Sequence, residues 1–205
     1  MKLSDTLLQQ DGLSMAHDGA TYCGTRGEYT FLILMGRNEL VVSVLRGGEE
    51  PDKEIQKKWF VAQLDLARRL KLPVIIHSRD AAEDTLNIVR EYMKKDMSGG
   101  IIHCFSYSKE IAAEYLKMGL YLGIGGVLTF KNAKKLKEVA AIAPLSQIVL
   151  ETDCPYMAPE PNRGRRNSSL NLPYVAEALA QIKGITAEEV IAVTEENAKR
   201  LLFRA

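Results

Sequence analysis

The sequence predicts an α/β protein built on a parallel sheet, and three observations support this class. From Glu49 onward, four helix-like stretches alternate with four short apolar stretches, and short connections join them. This order is typical of parallel strands linked by right-handed helical crossovers. Polar residues end several of the apolar stretches, which favours a closed barrel with a site at its rim over an open doubly wound sheet. The chain has 205 residues, of which 46% are hydrophobic, so we expect one domain over residues 1–205.

Residues 1–48 have a less regular pattern than the rest of the chain. A short helix is predicted over Ser4–Gln10, and strands are predicted over Phe31–Met35 and Leu40–Leu45 from their apolar and β-branched content. Glycines at several positions between 12 and 27 interrupt any longer pattern. We therefore interpret residues 1–48 as an atypical N-terminal segment that precedes the regular α/β portion.

Beyond this segment, helix and strand patterns follow one another closely. Apolar residues recur every three or four positions in each predicted helix, as expected for a helix with one buried face. Short runs rich in valine, isoleucine and leucine indicate buried strands. Helices are predicted over residues 52–70, 80–95, 108–118 and 132–143, and strands over residues 73–77, 101–104, 120–124 and 147–152. A long loop and two or three helices are predicted after Pro155.

Charge, motifs and cysteine content argue against several classes of protein. Lys and Arg number 27 and Asp and Glu 26, so the formal charge is +1 and no global field would attract a polyanion. No GxGxxG or GxxxxGK[ST] follows a predicted strand, which argues against nucleotide binding. Cys23, Cys104 and Cys154 are widely spaced and odd in number, so we expect a reduced compartment and no disulfide partner. No signal-like or membrane-spanning apolar run occurs, so we expect a cytoplasmic protein without a membrane partner.

Two of the three histidines occupy equivalent places in the pattern. His77 ends the apolar run Leu72–Ile76, and His103 ends the run Gly100–Ile102. A histidine at the carboxyl end of a buried strand can be a metal ligand or a general base, or it can be a hydrogen-bonded histidine at the edge of the core. Because two neighbouring predicted strands end in the same way, we interpret both side chains as candidate metal ligands. His17, which follows no predicted strand, is interpreted as a surface residue.

Asp153 follows the predicted strand 147–152 and completes this candidate site. Imidazole nitrogens together with a carboxylate suit a divalent hydrolytic ion, and a carboxylate beside such an ion can also accept a proton. The alternative for Asp153 is a capping role in the turn before Pro155. Glu151, two residues earlier, is interpreted as structural. The sequence therefore predicts His77, His103 and Asp153 as metal ligands, with Asp153 as the catalytic residue.

Arginines flank two of these candidate ligands. Arg79 lies two residues after His77, and the loop 155–169 contains Arg163, Arg165 and Arg166. Guanidinium groups at the mouth of a catalytic site would suit the oxygens of a phosphate group. The alternative is solvated loop charge, and the sequence favours neither. We take the four arginines as candidate substrate-binding residues.

Residues 49–205 resemble a known family over most of their length. The stretches that carry the resemblance are KLPVIIHSRDAAEDTL, GGIIHCFSYSKEIA, YLGIGGVLTFKNA, IVLETDCPYMAPEPNRGRRNSS and VAEALAQIKGITAEEVIAVTEENAKRLLF. Together they look like the C-terminal three-quarters of a TatD-type metal-dependent deoxyribonuclease. The resemblance implies a TIM barrel of the amidohydrolase type and hydrolysis of DNA phosphodiester bonds by one or two divalent ions, Zn, Mg or Mn. His77, His103 and Asp153 match the metal-binding residues of that family, and the aspartate is its usual proton acceptor.

The N-terminal segment departs from the family pattern. TatD-like proteins open with a strand that carries a His-x-His pair, and they carry a glutamate in a Gly-Glu-Ile-Gly-Leu-Asp stretch. Residues 1–48 contain neither motif. Glu39 lies within a couple of residues of the expected glutamate, so it is a candidate metal ligand although its neighbours do not match. A typical barrel of this class has about 250 residues, so we expect the barrel to be incomplete or altered at its N-terminal strands.

Three functions are compatible with this sequence. The first is a TatD-like metal-dependent nuclease with DNA as substrate, impaired if the N-terminal ligands are missing. The second is a catalytically incomplete family member that acts as a nucleic-acid-binding or structural protein. The third is a related hydrolase that acts on a small ester or amide.

Overall fold

The structure is a computed structural model that describes residues 53–202 in full and, before them, four strands between residues 14 and 46 by their backbone pairing. The helix predicted over Ser4–Gln10 and the candidate ligand Glu39 lie outside the described residues. The chain divides into two compact units, Met1–Val74 and Ile75–Ala205. The single domain expected over residues 1–205 stays a prediction.

The first unit contains an antiparallel meander followed by a helix. Its strands pair in chain order, so that Leu32 on the third strand lies opposite Cys23 on the second and Ser43 on the fourth. The strands are β1 (Ser14–His17), β2 (Thr21–Arg26), β3 (Tyr29–Met35) and β4 (Leu40–Arg46). Helix α1 (Lys53–Leu70) follows and buries Leu64 and Ala67.

Two of these four strands were predicted and two were not. Strands β3 and β4 confirm the predictions over residues 31–35 and 40–45. Strands β1 and β2 were missed because the glycines around them resemble breaks, whereas Gly24 lies inside the β1–β2 ladder opposite Met15. Adjacent antiparallel pairing lets two strands follow each other without a helix between them. The alternation of helix and strand therefore begins only after β4.

The second unit carries the parallel strands. Strands β6 (Gly100–His103) and β8 (Ile148–Leu150) both pair in parallel with β7 (Tyr121–Ile124), which lies between them. Strand β5 (Val74–His77) is next to β6 in the sheet order. The helices that follow the strands are α2 (Ala82–Met93), α3 (Lys109–Lys117), α4 (Lys134–Ile142), α5 (Leu172–Lys183) and α6 (Ala187–Leu202). All the helix–strand units predicted in this part of the chain are present.

The core of this unit forms where the apolar runs of the sequence meet. Ile102, Leu122 and Ile148 stand in register across β6, β7 and β8, and each is at most 1% exposed. Helix α2 turns Leu86 and Val89 toward the interior, three positions apart, as an amphipathic helix requires. Parallel strands are covered on both faces, which explains why they read as continuous apolar runs.

The last strand is shorter than predicted. Residues Leu145–Gln147 form a turn of 3₁₀-helix, so β8 begins at Ile148 and ends at Leu150. The amide of Glu151 still donates a hydrogen bond to the Ile124 carbonyl oxygen at 3.1 Å, which carries the pairing one residue further. Among the helices that the structure describes, none is long and apolar enough to span a membrane.

Candidate metal centre

The two strand-end histidines lie side by side. His77 ends β5 and His103 ends β6. Their ring centroids are 5.5 Å apart and the ring planes are inclined by 47°. Carboxyl ends of neighbouring parallel strands meet at one edge of a sheet, so this contact follows from the sheet order. The structure thus brings the two histidines together as expected, and their role as ligands stays a prediction.

Asp153 lies next to His103 at the same edge. The distance from His103 Nε2 to Asp153 Oδ1 is 3.5 Å. Two ligands of a tetrahedral zinc ion, each about 2.0–2.1 Å from the metal, are roughly 3.4 Å apart. The pair therefore has the spacing of two ligands that share one ion.

Glu151 contacts the other side of the His103 ring, so the residue interpreted as structural lies directly beside a candidate metal ligand. Its carboxylate oxygen Oε2 contacts His103 Nδ1, and the side chain is 13% exposed. No other hydrogen-bond partner of its two carboxylate oxygens lies among the residues that the structure describes. The one signal in the sequence is that Glu151 and Asp153 both directly follow the apolar run of the predicted strand, two residues apart.

The two histidines differ in their electrostatic surroundings. The hydrogen bond with Glu151 raises the pKa of His103 above its ordinary value, against the opposing effect of burial. Burial, followed by the neighbouring His103, lowers the pKa of His77. A neutral imidazole is the form that binds a metal ion. His77 is therefore held in the ligating form, and His103 is held with Nδ1 toward Glu151 and Nε2 toward Asp153.

Hydrogen bonds connect the segments that follow β5 and β6. The hydroxyl of Ser78, the residue after His77, lies 2.9 Å from Thr85 Oγ1 and 2.8 Å from Tyr107 Oη. Tyr107 follows β6, so this group joins the chain after His77 to the chain after His103. Ser78 is 9% exposed. A buried network of this kind fixes the relative positions of the two rings.

A buried amide fixes the loop that follows Asp153. Asn167 Nδ2 donates to the Tyr156 carbonyl oxygen at 2.8 Å, and its backbone amide donates to the Pro155 carbonyl oxygen at 2.9 Å. The Tyr156 amide in turn donates to the Asp153 carbonyl oxygen at 2.8 Å. Asn167 is 3% exposed. No pattern in the sequence indicates this role, because an asparagine in a polar loop has no distinguishing neighbours.

The four candidate arginines are exposed, and one of them is engaged within the protein. Arg163 places its guanidinium carbon 4.3 Å from the centroid of the Phe130 ring and forms an ion pair of 3.9 Å with Glu160. Arg79 is near enough to His77 to contribute to the lowering of its pKa. The roles of Arg79, Arg163, Arg165 and Arg166 in substrate binding stay predictions.

The residues present fit a divalent ion in part. Two ligand atoms have the correct spacing, the His103 ring is held by a carboxylate as metal-bound histidines usually are, and His77 adjoins them. Within the described part of the chain, no group of three or more His, Cys, Asp and Glu side chains is already arranged to hold a metal. A closed set of ligands would therefore need a rearrangement of these side chains or donors from elsewhere.

Fold and site together define an α/β protein with two histidines and an aspartate at the carboxyl ends of its parallel strands. Residues 46–203 match the family model of the TatD related DNases, so the chain belongs to that family. It is 43% identical over 182 residues to YabD of Bacillus subtilis, named an uncharacterized metal-dependent hydrolase, covering 86% of this chain and 71% of that one. It is 33% identical over 151 residues to a protein of Rahnella named 3'-5' ssDNA/RNA exonuclease TatD, covering 71% and 57%.

A solved structure supports the fold class. The crystal structure of YjjV, a TatD homolog from Escherichia coli K12, superposes with a TM-score of 0.70 and 30% identity, covering 77% of this chain and 60% of that one. The predicted class, α/β and TIM-barrel-like, is confirmed by this likeness. The chain spans between 55% and 71% of the length of the relatives it matches.

Proposed function

We propose that this chain acts as a metal-dependent hydrolase that cleaves the phosphodiester bonds of DNA. The observation that carries the proposal is the 3.5 Å spacing of His103 Nε2 and Asp153 Oδ1, with Glu151 on the opposite ring nitrogen. Relatives named metal-dependent hydrolases support the reaction class, and the relative named as an exonuclease supports a nucleic acid as substrate.

His77, His103 and Asp153 would hold the ion, which in this family is Zn, Mg or Mn. A divalent ion at such a site stabilises charge on phosphate oxygens and makes water a better nucleophile. His103 keeps its ligating nitrogen aimed at the site because Glu151 holds Nδ1. Asp153, 33% exposed, is accessible to a water molecule and can accept its proton.

The proposed reaction is the hydrolysis of one phosphodiester bond by one water molecule. A water oxygen attacks phosphorus, and one water proton passes to the Asp153 carboxylate. The bond between phosphorus and one sugar oxygen breaks, and that oxygen leaves as a hydroxyl when it takes up the proton that Asp153 accepted, which restores the Asp153 carboxylate. The exposed Arg79, Arg165 and Arg166 supply positive charge for the phosphate oxygens.

The proposal is tested by measuring metal content and nuclease activity on one preparation. We expect divalent metal by elemental analysis and chelator-sensitive release of nucleotides from DNA. His103→Ala should lose both, because it removes a ligand and the partner of Glu151. Glu195→Ala, which removes an exposed carboxylate on α6, should retain both. Metal-free protein that releases no nucleotides after metal is added back would contradict the proposal.

A second candidate function is binding of nucleic acid without cleavage. It is favoured by one observation, that residues 53–202 contain no ready group of three ligands. In that case DNA would be retained at low salt without release of nucleotides. Each arginine that contacts a phosphate contributes about one unit to the slope of the logarithm of the binding constant against the logarithm of the salt concentration. Arg165→Ala should then reduce this slope, and cleavage in the same assay would exclude the second candidate.

A further inference from the structure

Two glycines leave the surface of β7, the middle strand of the site, free of side chains. Gly123 lies on β7 and Gly125 directly after it, and both are buried. Strand β7 separates β6, which ends in His103, from β8, which leads into Glu151. A side chain from β8 can reach β6 only across β7. The two glycines lie where that crossing occurs.

The space above each glycine is occupied by Glu151. A Cβ atom at position 125 would lie 2.6 Å from Glu151 Oε1, a distance that carbon and oxygen atoms do not adopt. A Cβ atom at position 123 would lie 3.3 Å from both Glu151 Cγ and His103 Cα. The Glu151 side chain therefore runs over Gly123 and Gly125 on its way to the ring.

The backbone around this path is fixed on both sides. The Glu151 amide donates to the Ile124 carbonyl oxygen at 3.1 Å, and the Phe105 amide donates to the Gly123 carbonyl oxygen at 3.0 Å. These two hydrogen bonds continue the pairing of β7 with β6 and with β8 beyond the last residue of each neighbouring strand. The glycines consequently cannot move away from Glu151 without breaking pairing on either side.

We propose that Glu151 is the positioning residue for His103, and that Gly123 and Gly125 determine its reach by leaving the crossing of β7 free of side chains. A metal-ligating histidine needs its second nitrogen held, so that ring orientation and tautomer are set before the ion binds. Glu151 reaches that nitrogen from two strands away. The run Gly123–Ile124–Gly125 lacks the spacing of a nucleotide-binding motif. The proposal gives its two glycines a different function, which is to leave room for the Glu151 side chain.

The inference names a positioning residue for the proposed metal site and so rests on the proposed function. Its first readout does not use the nuclease reaction or a metal. In metal-free protein labelled with ¹⁵N at histidine, the nitrogen shifts of His103 report which ring nitrogen carries the proton. We expect a proton fixed on Nδ1 in the original chain, and an averaged mixture of tautomers in Glu151→Ala. Unchanged His103 shifts in Glu151→Ala would overturn the proposal.

A double-mutant cycle on metal affinity tests the part played by Gly125. Removing a residue that holds a ligating histidine typically weakens metal binding about 10–100-fold. We expect such a loss for Glu151→Ala, measured with Zn²⁺ by calorimetry, and a comparable loss for Gly125→Ala because the new methyl group displaces the carboxylate. Since both changes act through one contact, the double variant should bind Zn²⁺ no more weakly than Glu151→Ala alone. Losses that multiply would show that Gly125 acts independently of Glu151 and would overturn its assignment.

Two further variants keep the test decisive if Gly125→Ala folds poorly. Gly123→Ala imposes closest contacts of 3.2–3.3 Å instead of 2.6 Å, so its loss of affinity should be smaller than that of Gly125→Ala. Glu151→Gln keeps the shape and one acceptor oxygen, so it should restore much of the Nδ1 signal that Glu151→Ala loses. Equal effects of Glu151→Gln and Glu151→Ala on the His103 shifts would contradict a positioning role through this hydrogen bond. Absence of Zn²⁺ binding in the original chain, with the Nδ1 signal intact, would count against the proposed function and leave the positioning role in place.

Discussion

Cys104 and Cys154 follow His103 and Asp153 directly, yet their thiols have different surroundings. Cys104 is half-buried, and burial raises its pKa from the ordinary value of 9.0 to about 11. Cys154 is exposed. The thiolate is the reactive form of cysteine, so burial and pKa both protect Cys104. Although each cysteine follows a candidate metal ligand, the two thiols should therefore differ in reactivity.

The difference predicts selective alkylation. At pH 8 a thiol of pKa 11 is ionised in about one molecule in a thousand, so Cys104 should react with iodoacetamide far more slowly than Cys154. Because the pKa is raised, the rate at Cys104 should keep increasing up to about pH 11. Mass spectrometry of the separate cysteine peptides measures both rates in one sample. Equal labelling of the two peptides at pH 8 would contradict the burial of Cys104.

At the scale of elements, a buried amide on α6 forms hydrogen bonds with the start of β8 and with the turn before it. Asn197 is fully buried, and its Nδ2 donates to the carbonyl oxygens of Leu145 and Ile148, each at 2.8 Å. Leu145 belongs to the 3₁₀ turn and Ile148 begins β8. One side chain thus satisfies two backbone acceptors at the point where β8 enters the sheet, some 50 positions away in sequence.

Removal of this amide should lower stability markedly. The variant Asn197→Ala loses two hydrogen bonds to backbone carbonyl groups, but it also removes the buried Asn197 Oδ1, which has no hydrogen-bond partner among the described residues. Because an unpaired buried polar group costs about 1–3 kcal/mol, the free energy of unfolding should fall by about 2–4 kcal/mol net. Chemical denaturation measures the change. Glu196→Ala, an exposed substitution one residue earlier, should have little effect. An Asn197→Ala variant as stable as Glu196→Ala would show that the two hydrogen bonds contribute nothing net.

The elements and part of the site could be predicted from sequence for one physical reason. Buried parallel strands are continuous apolar runs, so the first polar residue after each run marks the edge of the sheet where His77, His103 and Asp153 meet. The contact between Glu151 and His103 could not be foreseen, because it crosses a strand whose glycines leave the crossing open. Contacts such as those of Asn197 connect distant segments, and no local pattern encodes them.

At the scale of the whole molecule, three of the candidate metal ligands lie in one compact unit. His77, His103 and Asp153 all lie within Ile75–Ala205, as does Glu151. Residues 53–202 contain no group of three or more His, Cys, Asp and Glu side chains already arranged to hold a metal, and the ligand roles of His77, His103 and Asp153 stay predictions. If an ion still binds, its free energy of binding must add to the stability of the folded chain.

Metal binding should therefore raise the melting temperature of the whole chain. A ligand that binds only the folded state stabilises it by about 2.7 kcal/mol at a concentration one hundred times its dissociation constant. Differential scanning fluorimetry of chelator-treated protein, titrated with Zn²⁺, Mn²⁺ or Mg²⁺, measures this shift and ranks the ions. Asp153→Ala should abolish most of the shift because the Asp153 carboxylate and His103 Nε2 have the spacing of two ligands, whereas Glu188→Ala, an exposed substitution on α6, should preserve it. A rise in melting temperature that survives in Asp153→Ala would place the ion elsewhere on the chain. No rise with any of the three ions would favour the hypothesis that this chain binds nucleic acid without cleaving it.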